Sequence, residues 1–205
     1  MIRRNAMRLF GAATALCLAA CASAPLHYHT LVAPADAATA TTPAVTSSLP
    51  FELLPVGIPA QVDQPQLMVR QGSEGVALLD GERWIAPLGN EVRDALSADL
   101  AQALGSQDVS GLPGNDQPTL RIKLDLRRFD SQPGGYALIE GAWSVRLLHG
   151  SSDTAVLACS SRISEPVGPG YPALVQGHQR AIAQLAGVIA GAARSLAAGQ
   201  EAICP

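Results

Sequence analysis

The stretch from Leu120 to Arg127 restricts the fold more than any other. Leu120, Ile122, Leu124 and Leu126 alternate without a break with Arg121, Lys123, Asp125 and Arg127. A period of two belongs to an extended strand with one dry face and one wet face. Gly134-Gly135 then turns the chain, and Ala137, Ile139, Trp143, Val145 and Leu147 resume the alternation, with Gly141 as a bulge or a site of close backbone approach. Ala155, Leu157, Cys159, Ser161 and Ile163 make the third strand of an antiparallel meander and set Cys159 on its inner face.

Two helical segments flank this meander. Leu88, Val92, Leu96, Leu100 and Leu104 recur every four residues, behind Pro87 and ahead of Gly105, so an amphipathic helix begins at the proline and stops at the glycine. A longer helix over about 172–196 carries the stripe Val175, His178, Ile182, Leu185, Val188, Ile189, Ala192 and Leu196. Upstream, Phe51 to Val56, Gln66 to Arg70 and Val76 to Leu79 read as short strands, the last closed by the hairpin pair Asp80-Gly81. His27 to Val32 reads as another. The expected fold is therefore α+β: a mixed, largely antiparallel sheet with both helices on one face. The other face, with Arg121, Lys123 and Arg127, is left for solvent or a partner.

The amino-terminal region sets the compartment. Arg3, Arg4 and Arg8 precede a short apolar run over 9–18, and no acid occurs before Cys21. This is the order of a secretory signal, and the run is too short to cross a bilayer. Leu18-Ala19-Ala20-Cys21 resembles the bacterial lipobox, which implies cleavage before Cys21, a diacylglycerol on its sulfur and an N-acyl chain on its new amino terminus. Several acyl chains anchor stably where one binds only marginally. Ala22 is not the Asp that retains such proteins in the inner membrane of enterobacteria, which favours the periplasmic face of the outer membrane.

Segmentation follows. Residues 1–20 are the signal, and 21–50 hold the lipidated terminus, the His27 strand and a flexible Ala/Thr/Pro tether over 33–50, which also reads as a loop leaving and rejoining a sheet. Residues 51–199 form the main domain and 200–205 the tail. Three of the fourteen Lys and Arg leave with the signal, so eleven face seventeen acids, a balance of −6. Nucleic acid and an electrostatic grip on anionic lipid are disfavoured. Of four cysteines, Cys17 leaves and Cys21 is acylated. In an oxidising compartment the remaining two, Cys159 and Cys204, predict a disulfide closing a loop of about 45 residues and worth roughly 3–4 kcal/mol. Two buried or free thiols are the other reading.

Catalytic chemistry finds little support. His178 is the best base but sits on an apolar stripe, where a core histidine is the plainer reading. His27 and His29 share a strand face without a third metal ligand in view, His149 ends a strand, and Ser160-Ser161 lacks a nucleophile elbow. No phosphate loop follows a strand into a helix. Residues 56–70, dense in Pro and Gly, read either as a stiff plug at a core edge or as a surface presented to another protein.

Several segments together resemble a known family. Leu54-Pro55-Val56-Gly57-Ile58-Pro59 with Asp63-Gln64-Pro65-Gln66, then Arg83-Trp84-Ile85-Ala86-Pro87-Leu88, are similar to the PqiC-like ABC-type transport auxiliary lipoprotein family. Phe129 ahead of the Gly-Gly turn, Gly141-Ala142-Trp143, Tyr171 at the start of the last helix and His27-Tyr28-His29-Thr30-Leu31 agree with it. The long insert over 33–50 and a His in place of one paired aromatic depart from the pattern. The resemblance implies a fold like the amino-terminal domain of TolB. It implies a non-catalytic role without cofactor in intermembrane lipid transport, docking an Mce-domain (PqiB-like) protein and its inner-membrane partner to the outer membrane. It implies a homo-oligomeric ring, and it marks Pro59, Asp63, Pro65, Trp84, Pro87, Leu88, Trp143 and Tyr171 as motif residues. A structural envelope-integrity lipoprotein with no transport partner is the alternative.

Overall fold

The computed structural model describes residues 25–34, 49–113, 117–149 and 152–204. Cys21 and most of the 33–50 insert lie outside them. Among the described residues, seven strands and two long helices follow in the order β1 (His27–His29), β2 (Phe51–Leu53), β3 (Gln66–Gln71), β4 (Gly75–Trp84), α1 (Leu88–Leu104), β5 (Thr119–Gln132), β6 (Tyr136–His149), β7 (Ser152–Pro166) and α2 (Tyr171–Ala197). The fold is α+β. One sheet has the order β1-β4-β3 and the other β2-β5-β6-β7. β5, β6 and β7 form the expected antiparallel meander, while β1 and β2 join β4 and β5 in parallel.

The alternation places the core. Leu120, Ile122, Leu124 and Leu126 are buried, and they meet Leu88, Val92, Leu96 and Leu100 of α1 and Ile182, Leu185 and Ile189 of α2 in one cluster. Gly105 closes α1 with a left-handed φ of 63°, satisfying the last turn without a Cβ clash. Gly177 brings α2 close to the sheet: a Cβ there would lie 2.2 Å from Val167 Cγ1. Behind α1, Asp108 accepts hydrogen bonds from Ser97 Oγ at 2.7 Å and from the Ser110 backbone at 2.9 Å, pinning the returning chain beside β2.

Four expectations need correction. Asp80-Gly81 is not a turn. The β3–β4 reversal occurs at Gly72, which takes a φ of 66°, whereas Gly81 does not adopt the left-handed backbone a type I′ turn demands. Leu79 pairs with Leu67 and Arg83 with Gln66, so Asp80, Gly81 and Glu82 bulge out of the ladder inside one continuous strand. Secondly, of the two readings of Gly141, a bulge or a close-approach site, the second holds, and the bulge lies on the facing strand. The β5–β6 register slips between Leu126 and Arg128, and Gly141 is the close-approach site, since a Cβ there would stand 2.9 Å from the Asp125 carbonyl oxygen. Thirdly, the strand from Phe51 ends at Leu53, because the prolines and glycines that follow leave only a bridge between Gly57 and Asp125. Fourthly, the His27 strand stops at His29 rather than Val32, where Thr30 and Leu31 are drawn onto a helix side chain instead of a ladder.

Candidate functional site

The first strand is bolted to the domain by two carboxylates. The three-residue bulge in β4 inverts its alternation, so Glu82 faces the same side as His27 and His29. Its oxygens meet His27 Nδ1 at 3.0 Å and His29 Nε2 at 2.5 Å. Burial pushes the Glu82 carboxyl up, but hydrogen bonds and charge from His29 and His27 outweigh it and hold the group below the usual carboxylate range. One turn into α1, buried Glu91 accepts the Leu31 backbone N–H and the Thr30 hydroxyl, both at 2.8 Å. Leu31 itself is 1% exposed. The residues behind the proposed lipid site are therefore part of the folded body, and the 33–50 insert links two bonded parts of the fold. β1 and β2, on either side of that insert, are each paired into a sheet, while residues 35–48 lie outside the described residues.

Glu82 and Glu91 were not singled out by sequence reasoning. Glu91 left a readable signal, one acid on the apolar stripe between Leu88 and Val92. Glu82 left none, since its facing depends on the bulge. His27 and His29 do share a face, and Glu82 supplies a third polar group there; even so, no metal-holding cluster of His, Cys, Asp and Glu occurs among the described residues.

The motif residues divide between core and surface. Trp84 is buried edge-on to Phe129, ring centroids 6.1 Å apart. Leu88 is buried at the start of α1 behind exposed Pro87. Trp143 is buried and donates from Nε1 to Ser161 Oγ at 2.9 Å. Tyr171 opens α2 against a small cluster of Val69, Ala137, Val167 and Leu174. Pro59 caps a turn by accepting from the Val62 N–H, and Pro65 accepts from the Trp84 N–H at 2.9 Å. Val56, Ile58 and Val62 pack onto the core while Asp63 and Pro65 are exposed, so this segment is a core plug with a polar rim. Most of the motif holds the helix start and the sheet in place.

The open sheet face has two regions of different character. On β5 to β7 the face carries ion pairs: Arg121 with Glu52 at 2.8 Å, Lys123 with Asp125 at 2.8 Å, and Arg162 with Glu140 at 3.1 Å. Arg70 of β3 reaches Asp130 at 3.2 Å, joining the open faces of the two sheets. On β3 and β4 the face exposes Val76 and Leu78 among the arginines Arg70 and Arg83. The carboxy-terminal tail returns to β7, where Cys204 is bonded to Cys159 with Cα atoms 5.5 Å apart.

His178 is fully buried. Its Nε2 is 2.8 Å from Ser131 Oγ, its ring stacks on Phe129 at 4.0 Å, and Nδ1 has no hydrogen-bond partner among the described residues. Burial lowers its pKa to about 3, against a smaller opposing pull from Asp130. A Ser–His pair exists, then, but the serine is 5% exposed and nothing orients the ring through Nδ1.

Known proteins match this architecture. A family model described as an ABC-type transport auxiliary lipoprotein component matches residues 29–190, from β1 into α2. One solved structure, of an uncharacterised protein, aligns with a TM-score of 0.62 at 19% identity over 84% of this chain and 99% of its own. A Xanthomonas campestris protein assigned to a family of unknown function aligns with a TM-score of 0.56 at 19% identity over 82% of this chain and 93% of its own. At such identity these two support the fold alone. No curated protein matches the chain.

Proposed function

This chain belongs to the ABC-type transport auxiliary lipoprotein family, and from that premise we propose that it is the outer-membrane-anchored, non-catalytic auxiliary component of an Mce/ABC-type intermembrane lipid transport system. The observation that carries the reading is the extent of the family match: residues 29–190 take in strands β2 to β7, all of α1 and most of α2, with Cys21, the first two residues of β1 and the end of α2 outside it. Acylated Cys21 holds the domain at the periplasmic face of the outer membrane. The domain, as a homo-oligomeric ring, receives the far end of an Mce-domain bridge whose inner-membrane partner supplies the drive. Tethering raises the local concentration of the docking surface without new contacts. Nothing in this role requires a nucleophile or base, and the Ser131–His178 pair is walled into the core.

The test is co-purification. Full-length protein solubilised in mild detergent from its own envelope should carry the Mce-domain protein with it, and labelled palmitate should follow the chain into the dense outer-membrane fraction. Recovery without that partner, or label confined to the inner membrane, overturns the docking role and leaves an envelope-integrity lipoprotein.

A further inference from the structure

We infer that the open face of the β1-β4-β3 sheet rests on the surface of the lipid bilayer in which Cys21 is anchored. The inference builds on the acylation of Cys21 and adds an orientation to it. On this face the register sets Leu78 opposite Met68 and Val76 opposite Arg70, with Tyr28 beside Arg83. Leu78 is 50% exposed, Val76 58% and Tyr28 58%, and Leu26 at 47% and Ile85 at 67% stand at the two ends of the β1–β4 pair. Scattered apolar residues on a surface need no explanation, but these are neighbours on one three-stranded sheet. Across β5 to β7 the open face carries ion pairs, with Val156 of β7 the one large apolar side chain exposed there among the described residues.

Chain length selects the bilayer as the occupant. Only three residues separate Pro25 from Cys21, and the four residue steps between them span at most about 14 Å fully extended. The Glu82 and Glu91 contacts keep β1 from peeling away to lengthen that reach. An acylated Cys21 therefore draws the β1 edge down to the headgroups. The side chains waiting there are those an interface accepts: a tyrosine with an apolar ring and a polar tip, aliphatic residues, and the two arginines Arg70 and Arg83 whose stems can lie along lipid.

The experiment uses the full-length acylated chain in vesicles of phosphatidylethanolamine and phosphatidylglycerol containing a nitroxide-labelled lipid. With Cys21 acylated and Cys159 bonded to Cys204, Leu78→Cys offers one free thiol for a small fluorophore. Ala98→Cys, exposed on α1 in the helix layer, is the control. Quenching at 78 is expected to be several-fold stronger than at 98, and Val76→Cys should repeat it one pair along the strand. Equal quenching at 78 and 98 in protein that has incorporated labelled palmitate overturns the orientation while leaving the anchor intact. Cross-linking between two chains through position 78 overturns it in favour of a second copy on this face. Failure of the chain to incorporate palmitate instead removes the anchor on which both readings stand.

Discussion

His178 couples folding to acid. Buried and uncharged, it has a pKa near 3 in the fold and about 6.5 in the unfolded chain. Between those values the unfolded state binds a proton that the native state refuses. Its contribution is complete above pH 6.5 and declines as the pH falls toward 3, by about 1.4 kcal/mol per pH unit. Asp99 runs the other way: burial raises its pKa to about 6, so its contribution is complete below the ordinary carboxylate range and fades as the pH rises through 6. Comparing the parent with His178→Leu cancels Asp99. The difference in urea-unfolding free energy between them should shrink steadily from pH 6.5 to 4, and a difference independent of pH would refute the assignment. His178→Gln, which retains a polar partner for Ser131, serves if the leucine variant does not fold. Sequence reading placed this residue on an apolar stripe and so foresaw its burial. Its partner Ser131 was not legible, since only the β5 bulge settles which of the residues after Leu126 face inward.

At the scale of elements, a strand of three residues cannot hold itself in a parallel pair. β1 depends on Glu82 at one end and Glu91 at the other. Replacing Glu91 by Ala leaves the buried Leu31 N–H without an acceptor, at a cost of about 1–3 kcal/mol. Amide exchange at Leu31 and His29 should rise well above that of β5 and β6, which the substitution does not touch. Uniform exchange across all three would show that β1 is held by something else. Periodicity found α1, β5, β6 and α2 because each is long and presents one apolar face. It misplaced the turn at Asp80-Gly81 because that pair is equally at home in a bulge, and the reversal is made at Gly72, eight residues before Asp80.

The whole molecule is closed by its tail. The bond from Cys204 to Cys159 spans 45 residues and joins the end of the chain to edge strand β7. Cross-linking a loop of that length restricts the unfolded chain, so Cys204→Ser should cost about 3–4 kcal/mol by the chain-entropy account. Chemical denaturation measures the loss, and a change below about 1 kcal/mol would indicate native strain or a compact unfolded state in place of the entropic effect. Intact mass after alkylation, with and without prior reduction, reports the bond itself. The sheets and the two helices make a body with one covered face and one open face, and it is the open face that the proposed roles use.

Sequence alone determined the period of each long element, the helix ends at Pro87 and Gly105, the family, and the expectation of acylation at Cys21. These rest on local chemistry, since alternation, capping and a short motif are complete within a few residues. Only tertiary structure decided that β1 is part of the body, that Glu82 and Glu91 are its fastenings, and that Tyr28, Val76 and Leu78 share the open face of one sheet. Those depend on a register slip and on contacts between residues more than fifty apart in the chain, which no local pattern encodes.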